Sequence, residues 1–134
     1  MPESDLIHHD LTRTIIGAFF QAHRELGSGF LETIYKNGLV VLLRRAGLRV
    51  EREVPFEIIF HGESLGTYRG DIIVERKVVV EEKTGRLIDP VHIAQVRNYL
   101  RVSKLKVGLL LNFGPSADFK RLVATADGDV SVTA

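Results

Sequence analysis

One stretch of the 134-residue chain concentrates side chains able to do chemistry: Gly70-Asp71-Ile72-Ile73-Val74-Glu75-Arg76-Lys77-Val78-Val79-Val80-Glu81-Glu82-Lys83. Two runs rich in β-branched residues flank Glu75-Arg76-Lys77, which predicts an antiparallel hairpin closed by those three residues. Pairing Val74 with Val78 then sets Asp71 opposite Glu81 by simple counting. Side chains alternate faces along a strand, so Glu81 and Lys83 share a face and Glu82 points away from them, on the face of Val78 and Val80. Directly opposed residues have Cβ atoms about 4.5–5.5 Å apart. Two carboxylates at that separation repel unless a cation lies between them. Oxygen ligands suit Mg²⁺, which keeps several waters and takes one or two carboxylates together with a substrate phosphate. A slip of one residue in register dismantles the arrangement. Charged residues at strand ends are also commonly just solvated, so this segment by itself leaves a metal site and a solvated strand end both open.

The elements that must position these residues follow from periodicity. Leu11, Ile15, Phe19, Ala22 and Leu26 form a helical stripe over residues 10–26, with Asp10 as the expected cap and Gly27 as the stop. After the Gly27-Ser28-Gly29 turn, a second helix is predicted over residues 30–46 and ends at Gly47. Residues 50–60 read as a strand whose Pro55 limits its pairing. A turn at residues 61–64 leads to strands over 65–74 and 78–83. Asp89-Pro90 is a strong helix start, Asp as N-cap and Pro at the first position, for a helix running to about Val102. Residues 106–112 read as an unbroken apolar strand buried on both faces. Beyond Gly114-Pro115 a short helix is expected near residues 119–123, and residues 124–134 read as a loosely held tail. A three-strand meander followed by a helical crossover predicts an α/β fold with a mixed central sheet flanked by helices.

Composition narrows the function. The length suits one domain spanning residues 1–134, with its core at about 10–123. The sequence has 45% hydrophobic and 26% charged residues and no cysteine, which excludes wholesale disorder, a disulfide framework and a thiolate metal site. Its apolar runs are far too short to span a bilayer. Met1-Pro2-Glu3-Ser4-Asp5 does not read as a secretory signal, so a soluble cytoplasmic protein is the expectation. Eighteen basic against seventeen acidic residues give a net charge of +1, which argues against holding nucleic acid by bulk charge. Local, transient engagement stays compatible with it. There is no Gly-rich phosphate loop and no trustworthy Ser/His/Asp order. Asp127-Gly128-Asp129 is a turn signal that lacks the other ligands of a calcium loop.

Asp71, Glu81 and Lys83 match, residue by residue, the motif of the PD-(D/E)xK nuclease superfamily, which the segment resembles. Gln95-Val96-Arg97-Asn98-Tyr99 is similar to the Q-x-x-x-Y motif of its recombination and CRISPR-associated branches. His23 to Tyr35, with Gly29, Glu32 and Tyr35 at the named positions, resembles the signature of the GxxExxY family within that superfamily. Val107 to Gly114 resembles that family's last core strand. The resemblance covers residues 10–123 and implies a restriction-endonuclease-like fold. It also implies metal-dependent hydrolysis of phosphodiester bonds in DNA, with RNA second. Asp71 and Glu81 are then the expected ligands of Mg²⁺ or Mn²⁺, joined by the backbone carbonyl of Glu82, and Lys83 handles the attacking water. Glu82 departs from the pattern, because the residue between Glu and Lys is usually apolar.

The remaining residues divide between functional and structural readings. Glu32 either aims an acid at the metal and its waters, which the resemblance favours, or complements a helix dipole. Gln95 would orient a water or a backbone phosphate. Tyr35, His23 and His92 stand open between the site and the core, and His8-His9 read as solvated. The alternative to a nuclease is a non-catalytic module on the same scaffold, binding nucleic acid or protein. So small a chain offers little surface for gripping a duplex, so a homodimer or a partner protein would enlarge it.

Overall fold

The computed structural model describes residues 7–133, so Met1 to Leu6 and Ala134 lie outside the described residues. Helix α1 (His9–Leu26) turns Ile15, Phe19 and Ala22 of the predicted stripe inward, while Leu11 is half-buried and Leu26 at its end stays exposed. Its N-terminus differs. His8, at φ 53°, precedes it without a side-chain cap, and Asp10 lies inside the first turn, where its charge complements the helix dipole rather than capping it. Helix α2 (Glu32–Arg45) starts two residues later than the pattern suggested, because Leu31 stays extended at its cap. Glu32 is thereby its first helical residue.

Strands β1 (Val50–Phe60), β2 (Glu63–Val74) and β3 (Val78–Lys83) form the expected meander, with Pro55 on the edge strand. Helix α3 (Pro90–Ser103) begins as predicted: the Asp89 carboxylate accepts the Val91 N–H at 2.9 Å and Pro90 occupies the first position. It crosses over to β4 (Val107–Phe113), which pairs parallel with β3 and is buried throughout. Two expectations fail beyond it. Residues 117–124 form a strand, β5 (Ala117–Ala124), not a short helix, and residues 130–133 form β6 (Val130–Thr133), not a loose tail. The reason is the open edge of β4: a run with Phe119 and Val123 on one face and Leu122 on the other satisfies that edge and covers both cores at once. The Asp127-Gly128-Asp129 turn, with Gly128 at φ 87°, then folds β6 back onto β5.

The result is a six-stranded mixed sheet in the order β1-β2-β3-β4-β5-β6. On one face α1 and α2 bury Ile15, Phe19, Tyr35 and Leu39 against Ile72, Val78, Val80 and Leu109. On the other, α3 buries Val96, Tyr99 and Leu100 against Ile73, Val79 and Leu110. Close approach of α3 needs Gly108 and Gly70. A Cβ on Gly108 would lie 2.7 Å from the Val96 side chain, and one on Gly70 would lie 2.8 Å from the Tyr99 ring.

Glu82 is the anomaly of the core. It is 0% exposed, and among the described residues neither carboxylate oxygen has a hydrogen-bond partner. Burial, then the charges of Asp71 and Glu81, push its pKa well above the ordinary value. A carboxyl whose folded pKa exceeds its unfolded one costs no stability below the unfolded value and costs progressively more as pH rises.

Two outcomes follow. Gly108→Ala is expected to lose on the order of 1–3 kcal/mol of stability by overpacking Val96, read as a lowered midpoint in urea. In chelator-treated protein, Glu82→Gln is expected to melt higher than wild type at pH 8. That advantage shrinks as pH falls toward the ordinary glutamate value of 4.5. An advantage independent of pH would contradict the buried-carboxyl account.

Candidate active site

The site is made where a hydrogen-bond ladder stops. Strands β2 and β3 pair as Val74 with Val78, Ile73 with Val79 and Ile72 with Val80, the predicted register. Asp71 and Glu81 come next but make no ladder pair. Instead the strands part, and each carboxylate reaches to the opposite strand's backbone. The Asp71 N–H donates to Glu81 Oε1 at 3.3 Å, and the Glu82 N–H donates to Asp71 Oδ2 at 3.4 Å. Two backbone donors at the parting are thus satisfied by side chains.

Strand alternation also slips here. Ile72 and Val74 face the α1–α2 core, whereas Tyr68 packs on the α3 core, although all three are even-numbered along one strand. On β1, Val50 and Val54 show the same change of face. Between them Glu53 takes a left-handed backbone, φ 50°, and it is the residue that the register would set against Asp71. The kink lets Asp71 reach the α2 side.

The carboxylate pair cannot carry two charges comfortably. Burial, then the hydrogen bond and charge of Asp71, push Glu81 up to about 9. Burial opposes ionisation of Asp71 as well, yet its hydrogen bond with Glu81 and the Lys36 ammonium outweigh it and hold its carboxyl below the usual range. The two therefore share one proton, held mainly on Glu81.

Two lysines frame the pair. Lys83 Nζ lies 3.9 Å from Glu32 Oε1, so the first residue of α2 and the last of β3 meet at the mouth. Lys36, one turn beyond Glu32, has Nζ 3.3 Å from Asp71 Oδ1. Among the described residues no three histidines or carboxylates are grouped as a ready metal cage. The donors nevertheless suit a hydrated divalent ion. They are hard oxygens, two carboxylates in contact, and one of them is neutralised for want of positive charge.

The other predicted residues are distributed unevenly. Tyr35 is structural: its hydroxyl donates to the Gly27 carbonyl and accepts the Phe30 N–H at 3.3 Å. Its ring stacks on Phe113 with centroids 4.5 Å apart. That closes the glycine turn and sets the start of α2, hence Glu32. His23 donates from Nε2 to the Gly114 carbonyl at 2.7 Å and serves the fold. Gln95 is exposed on α3, and its backbone carbonyl accepts the Tyr68 hydroxyl at 2.8 Å. No hydrogen bond among the described residues ties its amide to the carboxylates. One turn on, Tyr99 donates to the Val54 carbonyl at 3.2 Å and lies against Gly70, buttressing the strand beside Asp71. His92 is half-buried in the first turn of α3. Lys36 and Glu53 escaped sequence reasoning. The i, i+4 spacing of Glu32 and Lys36 is the signal that could have found the lysine.

Residues 9–122 match the family model of the PD-(D/E)XK nuclease superfamily. Among solved structures, that of SSO0001 is similar over 67% of this chain and 48% of its own, at 26% identity and a TM-score of 0.56. This protein thus spans about half of that chain's length. The Archaeoglobus fulgidus Hjc, a Holliday junction resolvase from an archaeal hyperthermophile, aligns over 73% of this chain and 84% of its own, at 16% identity and a TM-score of 0.43. No curated protein matches. The six-stranded mixed sheet between α1–α2 and α3 is restriction-endonuclease-like, and the carboxylate pair stands at the break in its β2–β3 ladder. The chain belongs to the PD-(D/E)XK nuclease superfamily.

Proposed function

We propose that the protein hydrolyses phosphodiester bonds, in DNA before RNA, with a divalent ion held at the β2–β3 opening. The observation that carries this reading is the contact of Asp71 and Glu81 where the ladder ends, with Lys83 two residues further along β3. Asp71 and Glu81 would hold Mg²⁺ or Mn²⁺, with the Glu82 carbonyl as a further ligand and Glu32 addressing the water around it. Such an ion, when bound, polarises a phosphoryl oxygen and lowers the pKa of its water. Lys83 orients the attacking water, helps remove its proton and offsets negative charge gathering on the phosphate. Glu32, 3.9 Å from the Lys83 ammonium, keeps that side chain extended toward the opening. Gln95, exposed on α3, presents an amide to the phosphate backbone.

Within the superfamily we assign the chain to the GxxExxY group. Support comes from the job that Tyr35 does in closing the turn before Glu32. A net charge of +1 suits local rather than bulk contact with nucleic acid, and a second copy or a partner protein would extend the grip. No helix among the described residues is long and apolar enough to cross a membrane; we take the protein to act in the cytoplasm.

Purified protein should cut one or more of single-stranded, duplex and branched DNA when Mn²⁺ or Mg²⁺ is added. Asp71→Asn, Glu81→Gln and Lys83→Met should each lower the rate by at least about 100-fold. Equal cutting by these variants would overturn the assignment. Separately, Mn²⁺ at roughly 100 times its Kd should add about 2.7 kcal/mol of stability. The gain should vanish in Glu81→Gln. A wild-type protein that binds no Mn²⁺ at millimolar concentration would point instead to a non-catalytic binding module.

A further inference from the structure

Lys36 is better buried than any other ammonium that the site engages. Its side chain is 12% exposed, against 24% for Lys83. It has two acidic partners at unequal distances: Asp71 Oδ1 at 3.3 Å and Glu53 Oε1 at 3.9 Å. The nearer partner belongs to the carboxylate pair. The farther one is 65% exposed and sits on the left-handed kink of β1, outside the pair. A glutamate in that backbone conformation is uncommon and costs stability, so its position beside the lysine is held by the surrounding fold. Arg52, its neighbour on β1, is anchored to Asn37 of α2 and ties the kink to the helix that carries Lys36.

The arrangement has a consequence for any divalent ion at Asp71. Ligand oxygens lie about 2.1 Å from Mg²⁺, so an ion on Asp71 and an ammonium on the same carboxylate would stand only about 4 Å apart. Two cations at that distance in a partly buried site repel strongly. That repulsion favours departure of the ammonium, and the lysine has a second seat already within reach.

We propose that Lys36 is a built-in counter-ion that occupies Asp71 in the metal-free protein and passes to Glu53 when a divalent ion binds, so that it sets the metal affinity of the site. This rests on the reading of Asp71 and Glu81 as a divalent-ion site. Lys36 is then a positioning residue, and its exchange between two carboxylates is what a bare carboxylate pair lacks. It keeps the opening neutral enough to fold before metal arrives and makes occupancy depend on metal concentration.

The experiment is calorimetric titration of the full chain with Mn²⁺ alone, at fixed pH. Lys36→Met should bind Mn²⁺ at least tenfold more tightly than wild type. Lys36→Arg, which keeps the charge, should stay near wild type. Glu53→Gln should bind severalfold more weakly, and Glu53→Gln added to Lys36→Met should change nothing further, because Glu53 acts only through the lysine. In chelator, Lys36→Met should melt below wild type while keeping its circular dichroism spectrum. Unchanged or weaker binding by a folded Lys36→Met overturns the proposal. If wild type binds and Glu81→Gln does not, that failure is confined to the lysine; if wild type binds no Mn²⁺, the site reading falls with it.

Discussion

Everything about the site depends on the point where β2 and β3 stop sharing backbone hydrogen bonds. Up to Ile72 and Val80 the strands are held by their own amides and carbonyls. One residue later the work passes to Asp71 and Glu81, whose carboxylates accept N–H groups across the gap. Acceptors brought into a half-buried cleft for a backbone reason are thereby presented side by side. The kink at Glu53 and the close seating of Tyr99 on Gly70 maintain the parting. So the sheet itself, rather than a mobile loop, fixes the distance between the two acids.

Crowding acids in this way creates a shortage of positive charge, and the surrounding structure answers it piecemeal. Glu81 is pushed well above the usual carboxylate range, Glu82 is buried with no hydrogen-bond partner for its carboxylate among the described residues, Lys36 leans on Asp71, and Lys83 meets Glu32. Each is a partial remedy for a field that a divalent cation would relieve in one place. The apolar cores on either side of the sheet make the shortage tolerable by holding the strands whatever the charge state.

Much of this was legible in the residues. The β-branched runs and the three-residue link gave the hairpin register, and Asp89-Pro90 gave the start of α3 as observed. The contact between Asp71 and Glu81 follows from that count. What the count could not reach is how they touch. Strict alternation predicts a laddered pair on one face, whereas the slip at Glu53 breaks the period, and a left-handed glutamate leaves no local signal in sequence. Lys36 was missed because a lysine on an exposed-looking helix is ordinarily solvated, and its burial comes from β1 and β2 closing over it. The errors after β4 have a different source: residues 117–124 took their strand form from the open edge of β4, and Val130 followed through the turn at Gly128. The complete burial of Glu82 is a tertiary fact that strand alternation alone does not carry.

The most direct test of the whole account is a crystal of the protein soaked in Mn²⁺ and measured at the manganese absorption edge. The account predicts one anomalous peak about 2.1 Å from carboxylate oxygens of both Asp71 and Glu81, with the Lys36 ammonium withdrawn toward Glu53. A peak elsewhere, or a manganese-free pair with Lys36 still on Asp71 at saturating metal, would contradict it.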